Sequence, residues 1–249
     1  MSGPALTPTL CLRGRKRINN ASLRGGNGRV RRLALLSLVC LLLHPATTLA
    51  QDLDQVVAEL EATYSKVNDL RADFIQVARN RSLGQDIKAQ GTVYLKKGGK
   101  MRWDYKSPAP QQIVSDGKTL WVYTPELNQV NKGSAPKALA GPAGSFLAGL
   151  GRVRDEFSVR FLNPANKVDA SGRPVIDLTP KSPTPLLTRL VLAIDPKDHI
   201  VREAVIYDQF QNTVTMTFTK VTINPGLTDS LFTFTPPKNT AVVPLEPTR

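Results

Sequence analysis

Cysteine and histidine are scarce in this chain, and acidic residues are missing from its first fifth. The 249 residues include two cysteines, Cys11 and Cys40, and two histidines, His44 and His199. Both cysteines and His44 fall within residues 1–50, a stretch with no Asp or Glu. If that stretch is a removed leader, the remaining protein has no thiol nucleophile, no disulfide framework and no cysteine metal site. His199 is then left alone in the polar turn after Asp195-Pro196, which suits a solvated turn residue and not the base of a triad or a member of a metal cluster. Long apolar runs are missing too. The run from Leu33 to Leu43 is closed by His44-Pro45, well short of the about 20 residues that a membrane-crossing helix needs.

The leader reading rests on what surrounds that run. Arg29, Arg31 and Arg32 precede it, and Thr48-Leu49-Ala50 supplies small residues for a signal peptidase, the pattern of a secretory signal cleaved near Ala50-Gln51. The expected division is therefore 1–50 as N-terminal extension and signal, and 51–249 as a single domain. Cys40 follows Val39 and not a small residue, so lipid attachment there is not expected, and Arg31-Arg32 lacks the rest of a twin-arginine signal. Residues 1–28 exceed what a signal needs, and Val30 is an alternative start. The formal charge of +13 owes eight of its Lys and Arg residues to residues 1–50, which leaves 25 basic against 20 acidic residues beyond them. That balance is ordinary, and with Arg152, Arg154 and Arg160 interleaved by Asp155 and Glu156, no nucleic-acid partner is expected.

After the leader, Leu53, Val56, Val57, Leu60, Tyr64 and Val67 recur at helical spacing behind a capping Asp52, predicting one amphipathic helix. From Leu70 the period becomes two. Ten strands are expected, at 70–79, 88–97, 100–106, 111–115, 119–124, 157–162, 174–179, 188–194, 200–208 and 213–223. Gly98-Gly99, Asp116-Gly117 and Asp195 to Asp198 fall between such runs as hairpin turns, so one large antiparallel sheet follows. Pro142 to Leu150 is a glycine-loosened apolar segment, suited to a lid better than to a core helix.

In the run at 101–106, Met101, Trp103 and Tyr105 share one face while Arg102, Asp104 and Lys106 share the other, with Val93 and Leu95 on a similar apolar face next door. So large an apolar sheet surface with two helical segments to cover it is either packed by its own side chains or left as a cavity for an apolar ligand. Composition alone favours the packed core. Catalysis has little material: Ser145 lacks the flanks of a nucleophile elbow, and Asp104, Asp116, Asp155 and Glu156 suit surface charge better than a carboxylate pair. No enzyme, cofactor or metal site is expected.

The segments Met101-Arg102-Trp103-Asp104-Tyr105, Pro108 and Val114-Ser115-Asp116-Gly117-Lys118-Thr119-Leu120-Trp121-Val122-Tyr123 closely resemble the outer-membrane lipoprotein carrier family, LolA. The resemblance extends back to Phe74-Ile75-Gln76 and Gly91 and forward to Phe232-Thr233-Phe234-Thr235-Pro236-Pro237-Lys238. It implies a mainly β fold with short helices: a curved antiparallel sheet forming an incomplete, unclosed β-barrel under a helical lid. It also implies a monomeric periplasmic carrier of acylated lipoproteins, loaded by an inner-membrane ABC-type lipoprotein-releasing transporter and unloaded to an outer-membrane lipoprotein receptor where one is present. The implied cavity residues are Phe74, Val93, Leu95, Met101, Trp103, Tyr105, Val114, Leu120 and Val122, and the implied lid residues are Val57, Leu60, Phe146, Leu147 and Leu150. Family members commonly carry Arg-Pro where this chain has Lys97-Gly98, and that arginine holds the closed lid. Lys97 is the corresponding latch, expected to grip less firmly because its ammonium lacks the planar fork, with Arg102 as a weaker substitute. A sensor built on the same barrel is one rival, disfavoured by the absence of a second domain after Pro237; a carrier of another lipid is the other.

Overall fold

The computed structural model describes residues 52–138 and 153–245. One helix, α1 (Leu53–Lys66), precedes a single sheet of twelve strands. Asp52 caps α1 by accepting the Asp54 amide at 3.4 Å, which relieves one of the unpaired N–H groups at the helix start. The apolar stripe forms as the spacing requires: Val56, Val57 and Leu60 are buried against the sheet, and each such burial contributes about 1.5–3 kcal/mol.

In chain order the strands are β1 (Asp69–Asn80), β2 (Gln85–Lys96), β3 (Lys100–Ser107), β4 (Gln111–Asp116), β5 (Thr119–Thr124), β6 (Gln129–Ser134), β7 (Phe157–Phe161), β8 (Val175–Pro180), β9 (Arg189–Ile194), β10 (Val201–Tyr207), β11 (Thr213–Ile223) and β12 (Ala241–Pro244). Two short helices, α2 (Ala135–Ala138) and α3 (Val153–Glu156), flank the gap in the described residues. The spatial order is β12-β6-β5-β4-β3-β2-β1-β11-β10-β9-β8-β7. Two runs of hairpins thus meet where β1 pairs antiparallel with β11. β12 and β7 lie at opposite ends of the sheet without pairing, so the barrel stays unclosed.

Two strands differ from the expectation. β6 is polar in sequence but pairs along its whole length with β5, and β12 lies parallel to it; the sheet is antiparallel everywhere except at that edge. The chain between β11 and β12 also does something the period could not show. Its 3-10 turn Asp229–Phe232 packs on the convex side of β3 and β4, and Phe234 stacks beside Trp121 and Tyr123 at ring separations of 6.3 and 5.7 Å. Lys96 and Lys100 both reach Asp229 at 2.7 Å. Arg102, proposed from sequence as a substitute latch, belongs to this convex side: its guanidinium pairs with Asp104 at 2.9 Å and donates to the Leu231 carbonyl at 3.4 Å. It cannot hold a lid on the concave side.

Candidate functional site

The concave face is packed at one end and open at the other. At the packed end, Val56, Val57 and Leu60 of α1 share one buried cluster with Leu70, Ala72 and Val93 of the central strands and with Ile176, Leu178, Leu190, Leu192 and Ile194 of the far strands. Polar contacts also hold α1 there. Tyr64 accepts the Val201 amide at 3.2 Å through its hydroxyl, whose pKa burial pushes up. Arg154 of α3 donates to the Asp54 carboxylate at 2.9 Å, and its amide donates to Glu61 at 3.0 Å. His199 brings Nδ1 within 3.4 Å of Glu59; it faces α1 and is not the freely solvated turn residue expected from sequence. Lys97 donates from Nζ to the Ser65 carbonyl at 2.8 Å and to Asn68 Oδ1 at 3.2 Å.

Toward the other end a wall of aromatic rings marks where packing stops. Phe74 meets Trp103 and Tyr105 edge-on, with centroids 5.1 and 5.0 Å away, a favourable geometry for ring quadrupoles. The wall depends on Gly91. A Cβ there would lie 2.1 Å from the Asp104 carbonyl oxygen and 2.9 Å from the Phe74 ring, so no other residue lets β2 pass this close to β3.

Beyond the wall lies a cavity of about 310 Å³ lined by Gln76, Met101, Trp103, Tyr105, Ile113, Leu120, Val122, Ile206, Val214 and Met216. Nine of these ten offer carbon, sulfur or ring surface. The polar exception, Gln76, is engaged, since the Tyr105 hydroxyl donates to its Oε1 at 3.0 Å; burial also raises the Tyr105 pKa. Such a lining attracts apolar ligands through area alone and offers no charged anchor. Among the described residues, no group of three or more His, Cys, Asp or Glu could hold a metal ion.

The residues expected at the cavity divide into groups. Met101, Trp103, Tyr105, Leu120 and Val122 line it. Phe74 and Val93 share the concave face but are buried in the packed cluster, and Leu95 lies with Tyr64 and Val67 beside a small recess at the end of α1. Val114 is a correction. It pairs with Arg102 and Trp121 on the convex face, and the neighbour that lines the cavity is Ile113. Val114 is buried because the convex side is itself covered by the Asp229–Phe232 turn. Val57 and Leu60 lie in the buried cluster. Phe146, Leu147 and Leu150, the Pro142–Leu150 segment and the leader at 1–50 lie outside the described residues. Gln76, Ile113, Ile206, Val214 and Met216 were missed as lining residues. Their strands were legible, but which face of each strand turns inward was not.

The model of the family described as outer membrane lipoprotein carrier protein LolA matches residues 65–235. An outer-membrane lipoprotein carrier protein of Dechloromonas aromatica is 30% identical over 84% of this chain and 95% of its own length, and one of Chromobacterium violaceum is 32% identical over 75% and 86%. The crystal structure of an uncharacterized conserved protein from Thermus thermophilus superposes with a TM-score of 0.50 at 13% identity, covering 78% of this chain and all of that one; it shares the fold. With residues 65–235 matched and curated carriers aligned across most of both lengths, the chain belongs to the outer membrane lipoprotein carrier protein LolA family.

Proposed function

We propose that the protein carries acylated lipoproteins from the inner to the outer membrane, with the lipoprotein's acyl chains held in the concave cavity. The observation that carries this reading is the cavity lining, apolar but for one internally paired glutamine, at the open end of an unclosed sheet. A sixteen-carbon chain exposes on the order of 12 kcal/mol of hydrocarbon at about 0.8 kcal/mol per methylene, so it does not cross water unshielded. A lining without charged anchors keeps release feasible. The chemistry is binding and not bond-making.

On this reading residues 1–50 are removed, residues 51–249 act in the periplasm as one half-barrel domain, an inner-membrane ABC-type transporter loads the protein and an outer-membrane receptor unloads it. The helix α1, through Val57 and Leu60, is part of the lid, and Lys97 is its latch.

The test is Trp103→Glu beside Arg102→Gln, one on each face of β3. Binding of an acylated peptide, read by titration calorimetry and by lipid co-purified from the periplasm, is expected to fall at least tenfold for the first and to persist for the second. Equal binding by both, with the fold intact, would remove the cavity from the function. Co-purification of an unacylated polar ligand, or of phospholipid alone, would replace lipoprotein as the cargo.

A further inference from the structure

Four of the large apolar side chains that the sheet leaves to solvent lie at the hairpin end beyond the cavity: Leu83, Ile87, Leu186 and Phe210, each more than 60% exposed. Leu83, Leu186 and Phe210 belong to three separate connections that the fold ties together, and Ile87 to the adjoining start of β2. Leu83 is in the β1–β2 turn, Phe210 in the β10–β11 turn and Leu186 in the β8–β9 connection. The Arg81 amide donates to Asn212 Oδ1 at 3.0 Å, joining the first two, and the Gln209 amide donates to the Pro185 carbonyl at 3.0 Å, joining the last two.

The β1–β2 hairpin is the most prominent part of this rim. β2 pairs with β3 only as far as Gln90↔Ser107, whereas its pairing with β1 continues through Gln85. The five residues 85–89 therefore run on past the end of β3, a reach of about 17 Å at about 3.4 Å per residue. Ile87 lies directly across from Ala78, and Ala78 directly across from the cavity residue Val214. Opposed residues share a face, so Ile87 continues the cavity lining outward onto the projecting hairpin.

Charge supports one kind of occupant. The hairpin residues 79–88 hold Arg79, Arg81 and Lys88 against the single acid Asp86, which pairs with Arg79 at 2.7 Å. Across the rim, Asp208 is turned inward and accepts the amides of Phe210 and Asn212 at 2.8 and 2.9 Å. We propose that this rim is a membrane-contact surface: Leu83, Phe210 and Leu186 enter the headgroup region of a bilayer, Arg81 and Lys88 lie against anionic lipid phosphates, and the cavity mouth is set at the membrane. Apolar side chains carried singly on three turns, with cations beside them, suit a soft interface that needs no shape complementarity. The inference goes beyond the carrier reading and rests on it only for what passes through the mouth.

The test is co-flotation of the protein, purified from the soluble fraction of cells expressing the full chain, with vesicles of phosphatidylethanolamine and phosphatidylglycerol. The wild type is compared with Leu83→Asp, Phe210→Asp and the pair together. The N-terminal segment is common to all, so it cannot account for a difference. Wild-type flotation that weakens in high salt and on phosphatidylcholine alone supports the proposal. So does loss of about tenfold or more in the double variant, with thermal unfolding and fluorescent fatty-acid uptake unchanged. Equal flotation of the double variant and the wild type would overturn it. So would absence of flotation while a photo-crosslinker at position 83 attaches to protein and not to lipid, which would assign the rim to a protein partner. Absence of fatty-acid uptake in every protein would overturn the carrier reading alone, because flotation reads the rim by itself.

Discussion

Replacing Lys97 with methionine keeps the side-chain stem and deletes the ammonium that donates to Ser65 and Asn68. Ser65 lies in the last turn of α1, where carbonyls lack helical partners and a cation also meets the negative end of the helix dipole. Lys97 is exposed, so solvent screening reduces what these two contacts contribute, and about 1 kcal/mol together is the expected scale. That raises the population with α1 lifted about fivefold. It does not free the helix, because Arg154, Tyr64 and the buried Val57 and Leu60 remain in place. Amide hydrogen exchange across α1 is the direct measurement, with binding of a hydrophobic dye as a second readout. Lys97→Arg is expected to restore protection and slow dye uptake. Adding Gly98→Pro, which would recreate the family's Arg-Pro pair, is expected to do harm: Gly98 holds a φ of 88°, whereas proline is confined near −65°, so the double variant should melt below Lys97→Arg. Exchange in α1 unchanged by Lys97→Met would refute the reasoning and remove Lys97 from the contacts that hold the helix.

Gly91→Ala should destabilise the protein by about 3 kcal/mol, since the new methyl runs into the Asp104 backbone carbonyl, which cannot swing aside, and crowds the buried Phe74 ring; denaturant unfolding will show it. Tyr105→Phe should cost about 1–3 kcal/mol by stranding Gln76 Oε1 in the cavity wall, while the double variant with Gln76→Leu recovers most of the loss; a double-mutant cycle measures the coupling, and additive losses would deny the pairing. Asp229, held down to about 2 by Lys100 and Lys96, has a depressed folded-state pKa. Its support of the convex-face turn is therefore present above the ordinary carboxylate range and lost as pH falls through that range toward about 2. Acid titration followed by Trp121 emission should lose this phase in Asp229→Asn.

What the sequence by itself determined follows from local periods and local chemistry. The stripe from Leu53 to Val67 and the cap at Asp52 specify α1 without reference to the rest of the chain, and alternation at 101–106 separates Trp103 from Arg102 because successive strand residues must point apart. β6 escaped because Gln129 to Ser134 carries one apolar residue, Val130; long-range pairing with β5 and β12 makes it a strand. Parity within 111–116 was ambiguous for a related reason. Ile113 and Val114 are both apolar because this strand is covered twice, by the cavity on one side and by the Asp229–Phe232 turn on the other, so hydrophobicity cannot say which side is which. Whether the barrel would be filled or hollow was equally out of reach. Composition is the same in either case, and the outcome depends on how far α1 extends along the concave face. Its buried side chains join the core cluster that includes Phe74 and Trp103, and only the assembled sheet shows that no residue of the helix is among those lining the cavity.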